Sequence, residues 1–330
     1  MNIEKFTISR NDNFMEGWPD LIKTRNGRLI IVYNECVGHG NRDHTHIAMR
    51  TSDDNGITWS DVTYIGEETF QGNQYNSIRI NQMSDGRIIL LCDRVKEHEK
   101  NPECVLHMWE SCDDGETWTD AVNIGIHGYC SDKVRELPDG SLLVCISFYN
   151  ETTGKTEIFA HKSYDGGKTW SEGVLAAASP DYTFIEPAAF VLSDGRICVF
   201  LRENSFKGYN GFVVYSDDLG ESFYGLSEIP VKGMHRPFIG KLNDGRILLS
   251  CREFLEGDFR GKTLKMCVFG EKDLTSATEF ETHYIDHDTS ETPDTGYSAW
   301  VQFDDGSLLM ANYITADAPF AYIRGYRINL

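Results

Sequence analysis

The amino-acid sequence predicts an all-β protein built as a six-bladed β-propeller, and two repeated phrases carry the prediction. The first repeat places Asp-Gly or Asn-Gly before Arg or Ser and a short apolar run. Its six glycines lie 50 to 61 residues apart, at Gly27, Gly86, Gly140, Gly195, Gly245 and Gly306. The second repeat reads Ser-x-Asp-x-Gly-x-Thr/Ser-Trp/Phe and starts at Ser52, Ser111, Ser163 and Ser216.

Both repeats have the composition of turns between strands. Asp-Gly and Asn-Gly favour tight hairpin turns because the central positions of such turns need positive φ. In the second repeat, Asp and Ser can bond nearby backbone amides while Gly accepts an unusual torsion angle. Each unit therefore contains two hairpins, and four strands in about 50 residues are typical of a propeller blade. We expect one domain of six blades over residues 1–330.

The two ends of the chain are predicted to meet in the last blade. The fifth unit carries only a weak version of the second repeat, "VFGEKDLTSATEF", and the sixth unit ends near "YIRGYRINL". The early segment "EKFTISR" is expected to form a strand that completes the sixth blade and closes the ring.

Composition restricts the partners and the compartment. A formal net charge of −20 argues against nucleic acid and anionic membranes, but not against a small anion held by local arginines. The nine cysteines are scattered without CxxC spacing, which favours buried thiols in a reducing compartment. We see no signal-peptide pattern and no apolar run of roughly 20 residues, so a cytoplasmic protein is expected. Nothing in the sequence sets an oligomeric state.

Candidate site residues come from position within the units. The innermost strand should precede each turn glycine, so residues nine positions earlier should form a ring around the central axis. A carboxylate, a guanidinium and a phenol then fall on three successive blades, in the ring Trp18, Ser77, Ser131, Glu186, Arg236 and Tyr297. Seven residues past the turn lie Arg202 and Arg252, and Arg260 follows. Such arginines in an acidic protein are typical of a carboxylate pocket.

The second repeat has the form of an Asp-box. Four Asp-boxes on six units that each begin with a hairpin resemble the sialidase (neuraminidase) superfamily over essentially the whole chain. The resemblance implies a propeller of sialidase type and an exo-acting glycoside hydrolase that cleaves a terminal acidic sugar, such as sialic acid, without a cofactor. It implies a Tyr nucleophile in "DTGYSAW", a Glu partner and a carboxylate-binding Arg in "FIEPAAFVLSDGRICVFLREN", a second such Arg in blade five and an acid/base Asp in "GNRDHTHIAMRTS". These positions are Tyr297, Glu186, Arg202, Arg260 and Asp43.

One departure from the family pattern leaves the substrate open. The family begins with Arg-Ile-Pro in blade one, whereas this chain has "EGWPDL", with Gly17 and Trp18 before Pro19, so that the arginine is missing. Arg236 or Arg42 could supply the missing guanidinium, or the substrate could lack a carboxylate. Trp18 suits stacking on a sugar, and the neighbour of Arg236, His235, is a further candidate sugar contact.

Three hypotheses therefore stand after the sequence. They are a sialidase, a sialidase-fold glycosidase or lyase acting on another sugar, and a glycan-binding propeller without catalysis. His44 and His46 alternate along one strand without an evident third ligand, so no metal site is expected.

Overall fold

Six antiparallel four-stranded sheets surround a central axis in the computed structural model, which describes residues 1–96, 104–257 and 261–330. The all-β, six-bladed propeller is confirmed. In chain order, blade I contains β2 Met15–Lys23, β3 Leu29–Cys36, β4 Thr45–Ser52 and β5 Thr63–Thr69; blade II contains β6 Asn73–Gln82, β7 Ile88–Lys96, β8 Val105–Ser111 and β9 Val122–His127; blade III contains β10 Arg135–Glu136, β11 Leu142–Asn150, β12 Lys155–Ser163 and β13 Val174–Ala177. Blade IV contains β14 Phe184–Val191, β15 Ile197–Glu203, β16 Asn210–Ser216 and β17 Tyr224–Lys232; blade V contains β18 Met234–Lys241, β19 Ile247–Glu253, β20 Thr263–Phe269 and β21 Glu281–His287; blade VI contains β22 Thr295–Gln302, β23 Leu308–Ile314, β24 Tyr322–Asn329 and β1 Asn2–Ser9.

The N-terminal strand closes the ring, as the sequence predicts. β1 pairs antiparallel with β24 and forms the outermost strand of blade VI. Lys5 on β1 also forms a 2.5 Å ion pair with Asp286 on the outer strand of blade V. The two ends of the chain are therefore joined by backbone hydrogen bonds within one sheet.

The Asp/Asn-Gly turns join the first two strands of each blade. All six turn glycines have φ between 82° and 95°, a conformation that side chains with a Cβ adopt only with strain. In blade I, for example, the Gly27 amide donates to the carbonyl of Thr24 at 2.9 Å. The local need for positive φ explains why glycine recurs at this one position of every unit.

The Asp-boxes join the third and fourth strands of blades I to IV, and each is a closed hydrogen-bond network. In blade II, the Ser111 hydroxyl accepts from the Gly115 amide at 2.9 Å, and the Asp113 carboxylate accepts from the Thr117 amide at 2.9 Å and from its hydroxyl at 2.5 Å. The bond from the Thr117 hydroxyl is the leading cause that lowers the pKa of Asp113 to about 2. The same network recurs around Asp54, Asp165 and Asp218.

The Asp-boxes also contact the neighbouring blades. Gly115 lies so close to blade I that a Cβ there would come within 2.8 Å of the Ile30 side chain. Arg87, from the hairpin turn of blade II, donates at 3.2 Å to the carbonyl of Gly166 in the box of blade III. The two repeats therefore meet across neighbouring blades.

Apolar layers fill the spaces between blades. The second strand of each blade reads as a continuous apolar run, such as "LIIVY" in β3, because both of its faces are covered. Eight of the nine cysteines are buried, Cys112 is exposed, and all nine are free thiols. In the described part of the chain, no helix has the length and apolar character to cross a membrane.

We predict that Asp113→Asn lowers the melting temperature at pH 7 and that this difference shrinks toward zero as the pH falls to 2. The pKa of Asp113 in the folded protein, about 2, lies below the ordinary value of 3.8, so its contribution to stability is present above about pH 4 and is lost as the pH falls through 2. Thermal unfolding across this pH range checks the prediction, with Asp120→Asn, at an exposed aspartate after the same box, as the control. A difference that does not vary with pH would contradict it.

Candidate active site

A bulge in the innermost strand of five blades carries five of the six ring residues that the sequence singles out. At this position the pairing register shifts in blades I, II, IV, V and VI, and one residue of each bulge has a left-handed backbone. These five residues are Trp18, Ser77, Glu186, Arg236 and Tyr297, with φ from 49° to 57°. Left-handed backbone is strained for such residues, and β-bulges redirect side chains, which is typical of functional sites.

Blade III departs from the predicted ring by one residue. Its left-handed residue is Cys130, with φ 52°, and not Ser131. The innermost strand of this blade is reduced to the two-residue β10 and an isolated bridge between Tyr129 and Ser147. The segment before the turn therefore contains one more residue than in the other blades, and the prediction of Ser131 is wrong for this reason. Ser77 donates to the Cys130 thiol at 3.4 Å.

A buried chain of three side chains joins blades IV and VI. The Tyr297 hydroxyl donates a short hydrogen bond to Glu186 Oε1, and Arg202 Nη1 donates to Glu186 Oε2 at 2.8 Å. Tyr297 is 8% exposed and Glu186 is 1% exposed. Both oxygens of the carboxylate are therefore occupied, one by a phenol and one by a guanidinium.

The surroundings of Glu186 and Tyr297 favour an ionised carboxylate and a protonated phenol. Burial alone would raise the pKa of Glu186, but the charge of Arg202 and the bonds from Tyr297 and Arg202 outweigh burial and lower it. Burial, reinforced by the negative charge of Glu186, raises the pKa of Tyr297 well above 10. At neutral pH the pair is a neutral phenol hydrogen-bonded to an ionised carboxylate, which is a base placed to accept the phenol proton.

Three further guanidinium groups surround the Tyr297 ring. Their central carbons lie 5.5 Å from the ring centroid for Arg236, 5.8 Å for Arg252 and 5.8 Å for Arg79. Glycine at position 296 leaves room for the Arg252 side chain, because a Cβ there would lie 3.1 to 3.4 Å from three of its atoms. Sequence reasoning missed Arg79. It lies two residues after the bulge residue Ser77, and a search of that offset would have found it.

Several of these arginines have donors without an acceptor. Within the described residues, Nε of Arg42, Arg202 and Arg252 and Nη1 of Arg236 are buried and make no hydrogen bond. Buried donors normally have partners. The Nε donors of Arg202 and Arg252, whose charges act on the Tyr297 phenol, fit an anionic group such as a carboxylate.

Trp18 supports the guanidinium group of Arg42 from the innermost strand of blade I. The Arg42 guanidinium lies 4.0 Å from the centroid of the Trp18 ring, and Trp18 packs edge-on against Tyr297 at 6.4 Å. Trp18 is only 3% exposed, so its ring has little surface for stacking on a sugar. Arg42 also donates to the carbonyl of Tyr75 in blade II at 3.1 Å.

The loop between β3 and β4 carries Asp43 beside Arg42. The Asp43 carboxylate accepts from the Gln71 amide at 3.0 Å, and the residue is partly exposed. On the same loop, His39 Nδ1 lies 2.7 Å from Asp294 at the entrance to blade VI. Asp43 is therefore the chain neighbour of Arg42, which packs on Trp18, and its own carboxylate bonds the Gln71 backbone. His39 ties the loop across the joint between blades VI and I.

Of two further site residues predicted in blade V, the structure describes His235 but not Arg260. His235 is 2% exposed, stacks on Phe254 at 4.8 Å and pairs in register with Arg252. Burial, together with the charges of Arg202 and Arg252, lowers the pKa of His235 well below 6.5, so its imidazole is neutral at pH 7. Arg260 lies outside the described residues.

The arrangement suits covalent catalysis on an anionic substrate. It offers a nucleophile bonded to its base, buried guanidinium donors and a carboxylate on the loop beside them. Among the residues that the structure describes, no group of three His, Cys, Asp or Glu side chains is arranged to hold a metal ion.

Comparison with known proteins agrees with the fold. The family model described as BNR repeat-like domain matches residues 67–310. A relative named sialidase, from Paraclostridium sordellii, is 27% identical over an alignment of 272 residues that covers 76% of this chain and 56% of the relative. The chain thus spans about half the length of this curated relative.

Solved structures share the architecture at low sequence identity. A protein of unknown function from Dyadobacter fermentans has a TM-score of 0.82 at 20% identity, covering 98% of both chains. The intramolecular trans-sialidase from Ruminococcus gnavus, solved with oseltamivir carboxylate, has a TM-score of 0.70 at 15% identity, covering 98% of this chain and 96% of that one. At such identities the likeness shows the fold.

We predict that Arg202→Met destabilises the protein by about 3 kcal/mol at pH 7, because it leaves the buried Glu186 carboxylate without its strongest partner. The variant raises the pKa of Glu186, so the loss of stability shrinks at acidic pH, where the carboxyl group is protonated. Urea unfolding at pH 7 and pH 4.5 measures both effects.

The double variant Arg202→Met/Glu186→Gln is the control for this prediction. It removes the carboxylate charge together with its partner and is expected to recover part of the lost stability. A single variant whose loss of stability is small, or is equal at both pH values, would contradict the ionised state of Glu186.

Proposed function

Because the chain belongs to the BNR repeat-like domain family and has the six-bladed propeller fold of sialidases, we propose that it is an exo-acting, retaining glycoside hydrolase of sialidase type. The substrate is a terminal acidic sugar, sialic acid. The observation that carries the proposal is the buried contact of Tyr297 with the ionised Glu186, surrounded by arginines with unpartnered donors.

The first chemical step forms a bond from the sugar to Tyr297. The phenol oxygen attacks the anomeric carbon while its proton passes to Glu186 Oε1, which already accepts its hydrogen bond. The bond from the anomeric carbon to the leaving oxygen breaks, and Asp43 donates its proton to that oxygen. A neutral phenol suits this task because the carboxylate of the substrate would repel an anionic nucleophile.

The second step returns the enzyme to its starting state. Asp43, now ionised, takes a proton from a water molecule whose oxygen attacks the anomeric carbon. The bond to Tyr297 breaks, and the phenol oxygen recovers its proton from Glu186. Two displacements at the same carbon retain the anomeric configuration.

The arginines would bind the carboxylate of the substrate. Arg202 and Arg252 occupy equivalent positions on β15 and β19, and each has a buried Nε without an acceptor. Arg42, held on Trp18, offers a third guanidinium from blade I. Charge-assisted bonds from such groups fix the pose of a sugar and leave the anomeric carbon next to the nucleophile.

A second candidate function is a glycosidase of the same fold that acts on another sugar. The observation that favours it is the sequence Gly17-Trp18-Pro19, which lacks the arginine of the sialidase pattern Arg-Ile-Pro, so that Arg42 on Trp18 supplies a guanidinium from a loop and not from the strand. A third candidate is a glycan-binding propeller that keeps the site without turnover.

A panel of aryl glycosides separates the three candidates. We predict release of the aryl alcohol from the α-sialoside and a loss of kcat of at least about 10³-fold in Tyr297→Phe, which lacks the nucleophilic oxygen. Tyr313→Phe is the matched control, since this buried tyrosine packs 6.1 Å from Tyr297 but its hydroxyl bonds Asp294. Turnover of a neutral glycoside alone would establish the second candidate. Sialoside binding in calorimetry without turnover of any glycoside would establish the third.

We predict that Asp43→Ala lowers kcat about 10²- to 10⁴-fold on sialyllactose, whose leaving group needs protonation, and far less on a nitrophenyl sialoside. Comparison of the two substrates in one variant measures this difference. Asp12→Ala, at an exposed aspartate on the segment between β1 and β2, is the control. Equal losses on both substrates would show that Asp43 is not the acid.

A further inference from the structure

A small cavity surrounded by buried charges lies next to the arginines of the candidate site. Its walls come from blades II, III, V and VI, and it holds about one water-sized occupant. The side chains that line it are Arg79, Asp132, Lys133, Arg135, Arg236 and Phe238, with Pro237 and Ser298 beside them. This cavity and its lysine have no part in the catalytic steps proposed above.

The charges around the cavity do not balance. Four cationic side chains line it, and two carboxylates pair with them: Asp20 bonds Lys133 at 3.0 Å, and Asp132 bonds Arg135 at 3.1 Å. Four cations less two carboxylates leave an excess of two positive charges, those of Arg79 and Arg236. Both residues are about 95% buried, at 5% and 4% exposure. Buried charges without a counter-charge are costly, so an anionic partner is expected.

The hydrogen bonds of the two excess arginines leave donors for that partner. Arg236 Nη2 donates to the Ser131 carbonyl at 2.9 Å, whereas its buried Nη1 has no acceptor among the described residues. Arg79 Nη1 donates at 2.6 Å to the carbonyl of its neighbour Ile78, the one hydrogen bond that its guanidinium makes in the described part of the chain. Both carboxylates are fully engaged, because Asp20 also accepts from the Ile80 amide and Asp132 from the Ala189 amide.

Lys133 adds a third cation that its surroundings satisfy only in part. Its ammonium group contacts Asp20 and lies 4.5 Å from the Phe238 ring centroid. Burial, and the nearby charge of Arg135, lower the pKa of Lys133 although Asp20 opposes them. More negative charge in the cavity would stabilise this ammonium group.

We propose that the cavity binds one small monovalent anion of the halide class, chloride in the cell, between the guanidinium groups of Arg79 and Arg236 and the ammonium group of Lys133. A water molecule fits the space and could accept from Arg236, but it brings no charge. A sugar carboxylate also carries the charge, but its ring would have to remain outside a cavity of this size. The substrate contacts proposed above rest on Arg42, Arg202 and Arg252, none of which lines this cavity.

Anomalous diffraction from crystals grown in sodium bromide tests the proposal directly. We expect a bromide peak in the cavity, within contact distance of Arg236 Nη1, that remains when free sialic acid is soaked in. A cavity without an anomalous peak, holding water alone, would overturn the proposal. A peak that sialic acid displaces would also overturn it, because the cavity would then be the floor of the substrate site.

Thermal unfolding at constant ionic strength gives a second, independent readout. Replacing gluconate by chloride or bromide is expected to raise the melting temperature saturably, by about 2–4 °C at a tenfold excess over the Kd. Lys133→Met should abolish the rise. Lys265→Met should keep it, because Lys265 is an equally buried lysine paired with Glu253 at 2.8 Å, away from the cavity. Equal melting temperatures of the wild type in all three salts would contradict anion binding.

Discussion

The candidate site depends on one constraint, which is that Glu186 remains ionised although it is almost completely buried. An isolated carboxylate in such a position would take up a proton, so its ionisation has to come from neighbours. Arg202 supplies the charge from the adjacent strand of the same blade, Arg252 adds to it from blade V, and Tyr297 supplies a hydrogen bond from blade VI. The closed ring brings these groups together, which makes the Tyr297–Glu186 pair a property of the whole propeller and not of one blade.

The fold positions these groups at a local cost in backbone strain. A left-handed residue precedes the turn in the innermost segment of all six blades, within a bulge in five of them, and three of these residues are Glu186, Arg236 and Tyr297. Strain of this kind persists only where surrounding structure over-determines the backbone. The hairpin turns, the Asp-boxes packed against neighbouring blades and the pairing of β1 with β24 supply that rigidity. The repeats that dominate the sequence thus hold the scaffold, whereas the residues that differ between blades form the site.

The sequence predicts the scaffold better than the site, for physical reasons. A turn that needs positive φ favours glycine, so the repeated glycines in the sequence predicted the six blades. A fixed offset from those glycines also selected Glu186, Arg236 and Tyr297, because the bulge sits at a constant distance from the turn. The offset failed for Ser131, where blade III has one extra residue. It also gave no reason to choose Arg79, which looks like any polar residue of a strand until the bulge at Ser77 turns the chain. The support of Arg42 by Trp18 depends on a loop conformation that no local pattern specifies.

In the proposed mechanism Tyr297, activated by Glu186, forms a covalent bond with the sugar. Mass spectrometry of the intact protein, and then of its peptides, tests this step after incubation with a 3-fluorosialosyl fluoride, which slows the breakdown of a glycosyl-enzyme more than its formation. We expect one added fluorosugar per chain, located on the peptide that contains Tyr297. A label on Glu186, or on another carboxylate, would contradict it, as would release of fluoride with full turnover and no labelled protein at any time.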